Sequence, residues 1–288
     1  MSKTKKVNKE KAHYRVMAVF SFFMTFFSFL LICAGVVQLT VLNPQFFSSV
    51  VKSSGYLQAC QQELEEIFAS YGTASNFDAE VFAPFATQDR IEKAIQQNIE
   101  YLYGKADVPN YDQYEQDLKE HLLKNVQERG IEVSIGIQTG VEDLAASCRT
   151  EFRNHTTIPF LEFAIRGVEL AKKPLMLVLF VLGIIMLLIL IFMWLISRKT
   201  VRFFPYVADS CFALAILSCV FPIIGLSQKI FERFNISPES VRLLILGYAN
   251  GIMKSFFPAG IVALFIGVGL VVLVKIKKKK QSQQIEQE

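Results

Sequence analysis

Four long apolar runs constrain this chain more than any other feature of its sequence. The first extends from Val16 to Val41 without a charge, and the second, Pro174 to Ile196, is rich in Leu and Ile with Trp194 near one end. The third, Phe204 to Leu226, carries Asp209 near its start and Pro222 near its end, and the fourth runs from Phe256 to Val274. A helix rises about 1.5 Å per residue and a bilayer's hydrocarbon core is about 30 Å thick, so roughly 20 apolar residues cross it. Each run meets that length. The 52% hydrophobic share, 26 Phe and mean hydropathy of +0.36 point to the same solvent. The first run follows lysines, as a secretory signal does, but is far longer than the roughly 7 to 15 residues of a signal core, so it is expected to remain as an anchor. These patterns predict an all-α integral membrane protein with four transmembrane helices.

Charge sets the orientation, because Lys and Arg beside spans collect on the cytoplasmic side. Lys3, Lys5, Lys6, Lys9, Lys11 and Arg15 precede the first span, and Arg198, Lys199 and Arg202 lie between the second and third. Lys275, Lys277, Lys278, Lys279 and Lys280 follow the fourth. An even number of spans puts all three segments on one side, so the protein is expected in the cell membrane with both termini in the cytoplasm. Lys172, Lys173, Lys229, Arg233, Arg242 and Lys254 fall on the other side, yet inversion would export eleven terminal bases instead. The polybasic tail is placed to contact an anionic inner leaflet, at about 1 kcal/mol per charge. Residues 281–288, rich in Gln and Glu, are expected to be disordered.

The expected layout is a basic N-terminus (1–15), span one (16–42), an extracytoplasmic α-helical domain (43–173) and span two (174–196). A cytoplasmic loop (197–203), span three (204–226), an outer loop with an interfacial segment (227–255), span four (256–274) and a cytoplasmic tail (275–288) complete it. Residues 43–173 hold 20 acids against 12 bases, a net −8, while the remainder is strongly basic. Apolar residues recur there at helical spacing: Leu57, Cys60, Leu64, Ile67 and Phe68, then Ile91, Ile95, Ile99 and Leu102, then Val141, Leu144, Ala145, Cys148 and Phe152. Thr87 suits an N-cap, and Gly104 and Gly130 suit helix stops, the latter after a helix from about Tyr111 to Arg129. Ile131 to Ile137 alternates as a strand does, but one strand without a partner makes no sheet, so a linker is expected. A last outer helix, about Pro159 to Leu170, almost meets span two. That arrangement suits either a plain connector or a lever, and Lys172, Lys173 and Pro174 are placed to break it.

Cys60 and Cys148 each fall on an apolar stripe of this domain. In an oxidising compartment they are candidates for a disulfide, worth roughly 4 to 5 kcal/mol in the chain-entropy model, with two separate buried thiols as the alternative. No Cys-x-x-Cys pair or Cys/His cluster points to a metal, and no hydrolase or nucleotide motif is present, so neither metal, cofactor nor catalytic residue is expected. His121 and His155 are the near-neutral bases of the outer domain, the latter beside Glu151 and Glu162. Glu63, Glu65 and Glu66 read as solvated helix surface. Asp209, the acid inside a proposed span, is a candidate functional group, although Arg202 seven residues earlier offers an interfacial counter-charge. Gly247-Tyr-Ala-Asn-Gly251 lies in Val241 to Lys254, which is expected along the outer interface, with a re-entrant hairpin as the alternative.

The order span, large outer domain, span, span, small outer loop, span is similar to that of FtsX-type permeases associated with ABC ATPases. That family's strand-rich outer domain is not visible here, so the resemblance is one of layout and carries over no residue or activity. The expected function is non-enzymatic: the outer helical domain binds a protein partner or ligand, or a second copy of the chain, while the spans anchor or relay that event. A transporter or permease subunit is the alternative, a membrane enzyme is weaker still, and nucleic acid is not an expected partner.

Overall fold

The computed structural model describes residues 3–157, 161–197, 200–228 and 235–285. Among them the structure is all-helical. In chain order the helices are α1 (Lys3–Leu39), α2 (Pro44–Ser53), α3 (Tyr56–Ser75), α4 (Gln88–Leu102), α5 (Asp112–Glu128), α6 (Ile135–Thr156), α7 (Leu161–Ser197), α8 (Thr200–Ser227), α9 (Glu239–Lys254) and α10 (Phe257–Ile285). Two short 3-10 turns, Ala79–Val81 and Ala83–Phe85, link α3 to α4. Four helical stretches are long and apolar enough to cross a membrane: His13–Leu39, Arg166–Ser197, Phe203–Ser227 and Glu239–Lys279. Arg198 and Lys199 of the inner loop, Lys229, Glu232 and Arg233 of the outer loop, and Pro159 lie outside the described residues.

Several boundaries differ from the sequence reading. The first long helix ends at Leu39, not in the low forties, and reaches back through the basic N-terminus to Lys3. Pro174 lies inside α7 instead of breaking it. Its ring fixes a φ close to the helical value, so the loss is one hydrogen bond. The tail expected to be disordered is helical as far as Ile285, since Lys and Gln are good helix formers and continue a helix already nucleated. The linker at Ile131 is shorter than expected. Ser134 caps α6, its hydroxyl accepting the Ile137 N–H, so Ile135 and Ile137 belong to a helix and not to an extended segment.

The chain divides into two compact units, one formed by Met1–Thr40, Ala171–Ile230 and Asn250–Glu288, the other by Val41–Leu170 and Phe231–Ala249. In the first, α8 packs along α10 and against α1. Small residues make the α8–α10 approach possible. A Cβ on Gly260 would stand 2.7 Å from Cys219 Sγ and 3.3 Å from the Ala215 carbonyl, and one on Gly267 would stand 3.3 Å from Cys211 Cβ. The α1–α8 seam is polar. Ser21 donates to the Tyr206 carbonyl at 3.0 Å and shares a 2.7 Å bond with the Ser210 hydroxyl, bonds worth about 0.6 kcal/mol each between helices in lipid. Met17 and Met24 of α1 cluster with Ile189 and Met193 of α7 and Val207 of α8.

The second unit is built around α3, α4, α5 and α6. Leu64 and Phe68, Ile91, Ile95 and Ile99, Leu118 and Leu122, and Val141, Ala145, Cys148 and Phe152 meet in one apolar core with Phe82 and Phe85 from the 3-10 segment. Fully burying each large apolar side chain contributes about 1.5 to 3 kcal/mol. Tyr114 stacks on Phe152 with ring centroids 4.1 Å apart and donates to the Phe85 carbonyl at 3.2 Å. Asn98 is the buried exception to an apolar α4 face. Its amide donates to the Ala94 carbonyl and to the Tyr111 hydroxyl, which shares a 3.2 Å bond with Thr156, so its polar group is satisfied. Thr87 is the N-cap residue of α4, though without a side-chain bond, and Gly104 and Gly130 stand just past α4 and α5 with φ of 67° and 73°, where glycine has no Cβ penalty.

The α8–α10 contact yields a direct test. Gly260→Leu is expected to destabilise the detergent-solubilised protein by about 1 to 3 kcal/mol through overpacking, read as a lowered thermal unfolding midpoint. Gly269, with open space around its Cβ position, should tolerate the same change.

Candidate functional site

The polar groups of the second unit converge where α3 and α6 pack together. Spacing of four residues puts Glu151 and His155 on one face of α6, and Tyr56, Cys60 and Glu63 share a face of α3. His155 Nδ1 lies 2.9 Å from the Glu151 carbonyl and 3.9 Å from its carboxylate, and Nε2 lies 3.8 Å from Glu63 Oε2. The carbonyl of His155 accepts from the Tyr56 hydroxyl at 3.0 Å and from the Cys60 thiol at 3.4 Å. Tyr71 donates to Glu151 at 3.4 Å. The His155 and Glu63 side chains are 15% and 20% exposed, so this cluster is largely withdrawn from solvent.

Glu63 is its centre. One carboxylate oxygen accepts the Ser240 N–H at 2.9 Å and the other accepts the Ser240 hydroxyl at 2.6 Å. Ser240 lies in the first turn of α9, where backbone N–H groups lack helical partners and the helix dipole favours negative charge. A carboxylate from α3 therefore caps a helix 177 residues away in the chain. Farther along α9, a Cβ on Gly247 would stand 2.6 Å from Ser54 Cβ, and Tyr248 lies 5.5 Å from both Phe46 and Phe47. Residues 239–249, part of the segment that the sequence reading placed along the outer interface, thus pack on α2 and α3. Half of that reading's Gly-x-x-x-Gly motif is explained by this close approach.

The cluster lacks an activated nucleophile. Burial, then the neighbouring Glu63, pushes the Cys60 thiol up to about 12, and burial, then Glu151, does the same for Cys148. Thiols so raised are protonated near neutrality. Burial likewise raises the Tyr56 and Tyr114 hydroxyls. Among the described residues no group of three or more His, Cys, Asp or Glu side chains is arranged to hold a metal ion. Cys60 and Cys148, the candidate disulfide pair, are free, buried thiols here, on helices that pack together.

The other candidates are dispersed. The His121 ring rests against Phe85 at 5.4 Å. Glu65 accepts from Gln61 within its own helix, and Glu66 is exposed. Glu151 meets His155 as the spacing suggested, while the Glu162 side chain lies outside those described. Asp209 is exposed on α8 between buried Ala208 and Ser210, with no partner among the described residues. Lys275, Lys277, Lys278 and Lys279 are exposed on the last turns of α10, and the Lys277 ammonium lies 5.3 Å above the Phe204 ring. The Lys280 side chain lies outside those described. Asn154-His155-Thr156, whose sequence matches an N-glycosylation acceptor, falls in the last turn of α6, with Thr156 fully buried and donating to the Phe152 carbonyl.

Sequence reasoning missed the Glu63–Ser240 pair. Ser237-Pro238-Glu239 does carry a helix-start signature, but no periodicity names the carboxylate that caps it. Glu63→Ala is expected to weaken the α9 N-terminus by about 1 to 2 kcal/mol, with amide exchange at 240–243 rising roughly tenfold, whereas Glu65→Ala leaves it unchanged. For the thiols, alkylation of the denatured, unreduced protein should modify both Cys60 and Cys148 by mass spectrometry. In the folded protein at pH 8 both should react far more slowly.

No protein-family model, curated protein or solved structure matches this chain.

Proposed function

We propose that this is a non-enzymatic, four-span membrane protein whose helical unit lies outside the cytoplasm and binds a protein partner, with the spans anchoring or relaying that event. The observation that carries the reading is the separation of charge. An acidic helical stretch of net −8 is flanked by apolar helices whose other ends carry the basic segments 3–15, 198–202 and 275–280. The positive-inside tendency favours the basic segments facing the cytoplasm and the acidic unit facing away.

The polar cluster supports a binding role over a catalytic one, since its hydrogen bonds hold α9 and the end of α6 in place and its thiols stay protonated. Asp209 supports anchoring over ion coupling. Acids that serve a transmembrane pathway face the bundle interior or a water-filled cavity, and this one is exposed on the single chain rather than enclosed among its helices.

A paired experiment tests both halves. In intact cells, a membrane-impermeant maleimide should label a single cysteine introduced at exposed Ile135 and spare one at exposed Lys279. The reverse pattern defeats the orientation. Affinity purification of the full chain in mild detergent, followed by mass spectrometry, should recover a stoichiometric protein, and an ATPase as that protein would favour a permease subunit instead.

A further inference from the structure

Contacts inside the helical unit define its two ends. Tyr103 donates to the Val41 carbonyl, Tyr111 bonds Thr156 and Tyr56 bonds the His155 carbonyl, so the chain termini of the unit's helical core meet at one end. At the other, Arg129 donates to the Asn76 carbonyl at 2.8 Å, joining the end of α3 to the turn between α5 and α6. That turn carries Ile131, Val133 and Ile135. Ile135 is 86% exposed and Ile131 43%, whereas the apolar stripes that α3, α4 and α6 turn toward one another are sealed in the core; Val108, Phe163 and Leu170 are exposed elsewhere in the described part of this unit.

The turn is held firmly despite this exposure. The Ile131 N–H reaches the Val126 carbonyl, the Gly130 N–H reaches Gln127, and the Ser134 N–H reaches Glu132 at 3.0 Å while its side chain caps α6. An apolar group fixed before binding loses little conformational freedom when covered, which is how a preorganised contact gains affinity. Charge states what covers it. Asp78, Glu80 and Glu132 are exposed on the segments joined here, without an ion pair among the described residues. Glu128 is paired with Lys124, and Arg129, with one arm on the Asn76 carbonyl, keeps its charge, so the surface is acidic by two charges, four acids against two bases. The open acidic groove along α5 differs, because Asp112 and Glu115 already hold Arg149.

We propose that this turn is the docking surface of the helical unit, with Ile131 and Ile135 entering an apolar depression on a partner protein whose rim carries Lys or Arg opposite the acids. It rests on the partner-binding reading above and names the surface that reading leaves open. A second copy of this chain fits poorly, since it would bring acids to acids.

The test uses tagged full-length protein, purified in mild detergent from its own cells and quantified by mass spectrometry. The variants are Ile131→Asp/Ile135→Asp, Glu132→Lys, and Val108→Asp, an apolar site at the opposite end whose 68% exposure falls between those of Ile131 and Ile135. The recovered protein is then purified and titrated against each variant. The expected result is binding kept by Val108→Asp, reduced at least tenfold by the double variant and severalfold by Glu132→Lys, and weakened by salt. Circular dichroism verifies that each variant remains folded. Undiminished binding by the folded double variant overturns the surface and leaves the partner-binding reading standing. Loss with the double variant but indifference to Glu132→Lys and to salt overturns the basic rim, and recovery of a second copy alone overturns the partner's identity. Failure of the unaltered chain to recover any protein overturns both readings.

Discussion

Backbone that crosses hydrocarbon must satisfy its own N–H and C=O groups, and the α-helix does so within one segment. Four helical stretches of this chain are long and apolar enough to meet that requirement. Pro174, Pro205 and Pro222 lie inside helices rather than ending them; in an apolar medium, leaving the helix would expose more unsatisfied groups than one proline removes. The requirement also leaves side chains to decide which helices touch. The α8–α10 approach relies on glycine and alanine, and the α1–α8 seam on paired hydroxyls, the kinds of contact that hold helices together where lipid competes with Leu and Ile on equal terms.

The helical unit obeys water's rules instead. Its apolar residues withdraw into one core, and its buried polar groups appear where a partner is available: Asn98 with Tyr111, and Glu63 with Ser240. The second pair is the more consequential. A carboxylate on α3 that satisfies the orphan N–H of α9 fixes a segment arriving from far along the chain, and His155 stands beside the same carboxylate. The cluster is thus committed to holding the unit together.

Local chemistry made much of this legible beforehand. Thr87, Gly104 and Gly130 mark helix limits because capping and left-handed backbone depend on a few adjacent residues. The core stripes on α3, α4 and α6 were readable because a 3.6-residue period writes burial directly into sequence. Ile131 to Ile137 misled for the opposite reason. Alternation over so few residues suits a strand or a capped helix start, and Ser134, by accepting the Ile137 N–H, settles the choice.

By itself, then, the sequence determined the apolar helices, the helical periods between them and the separation of acidic from basic segments, all of which depend on neighbours within a few turns. Tertiary structure decided what depends on distant residues. It brought Glu63 to Ser240, seated Gly247 against Ser54, and buried Cys60 and Cys148 on helices that pack together. A periodic pattern tells which face of a helix is buried but not the register at which two such faces meet, and register decides whether side chains touch.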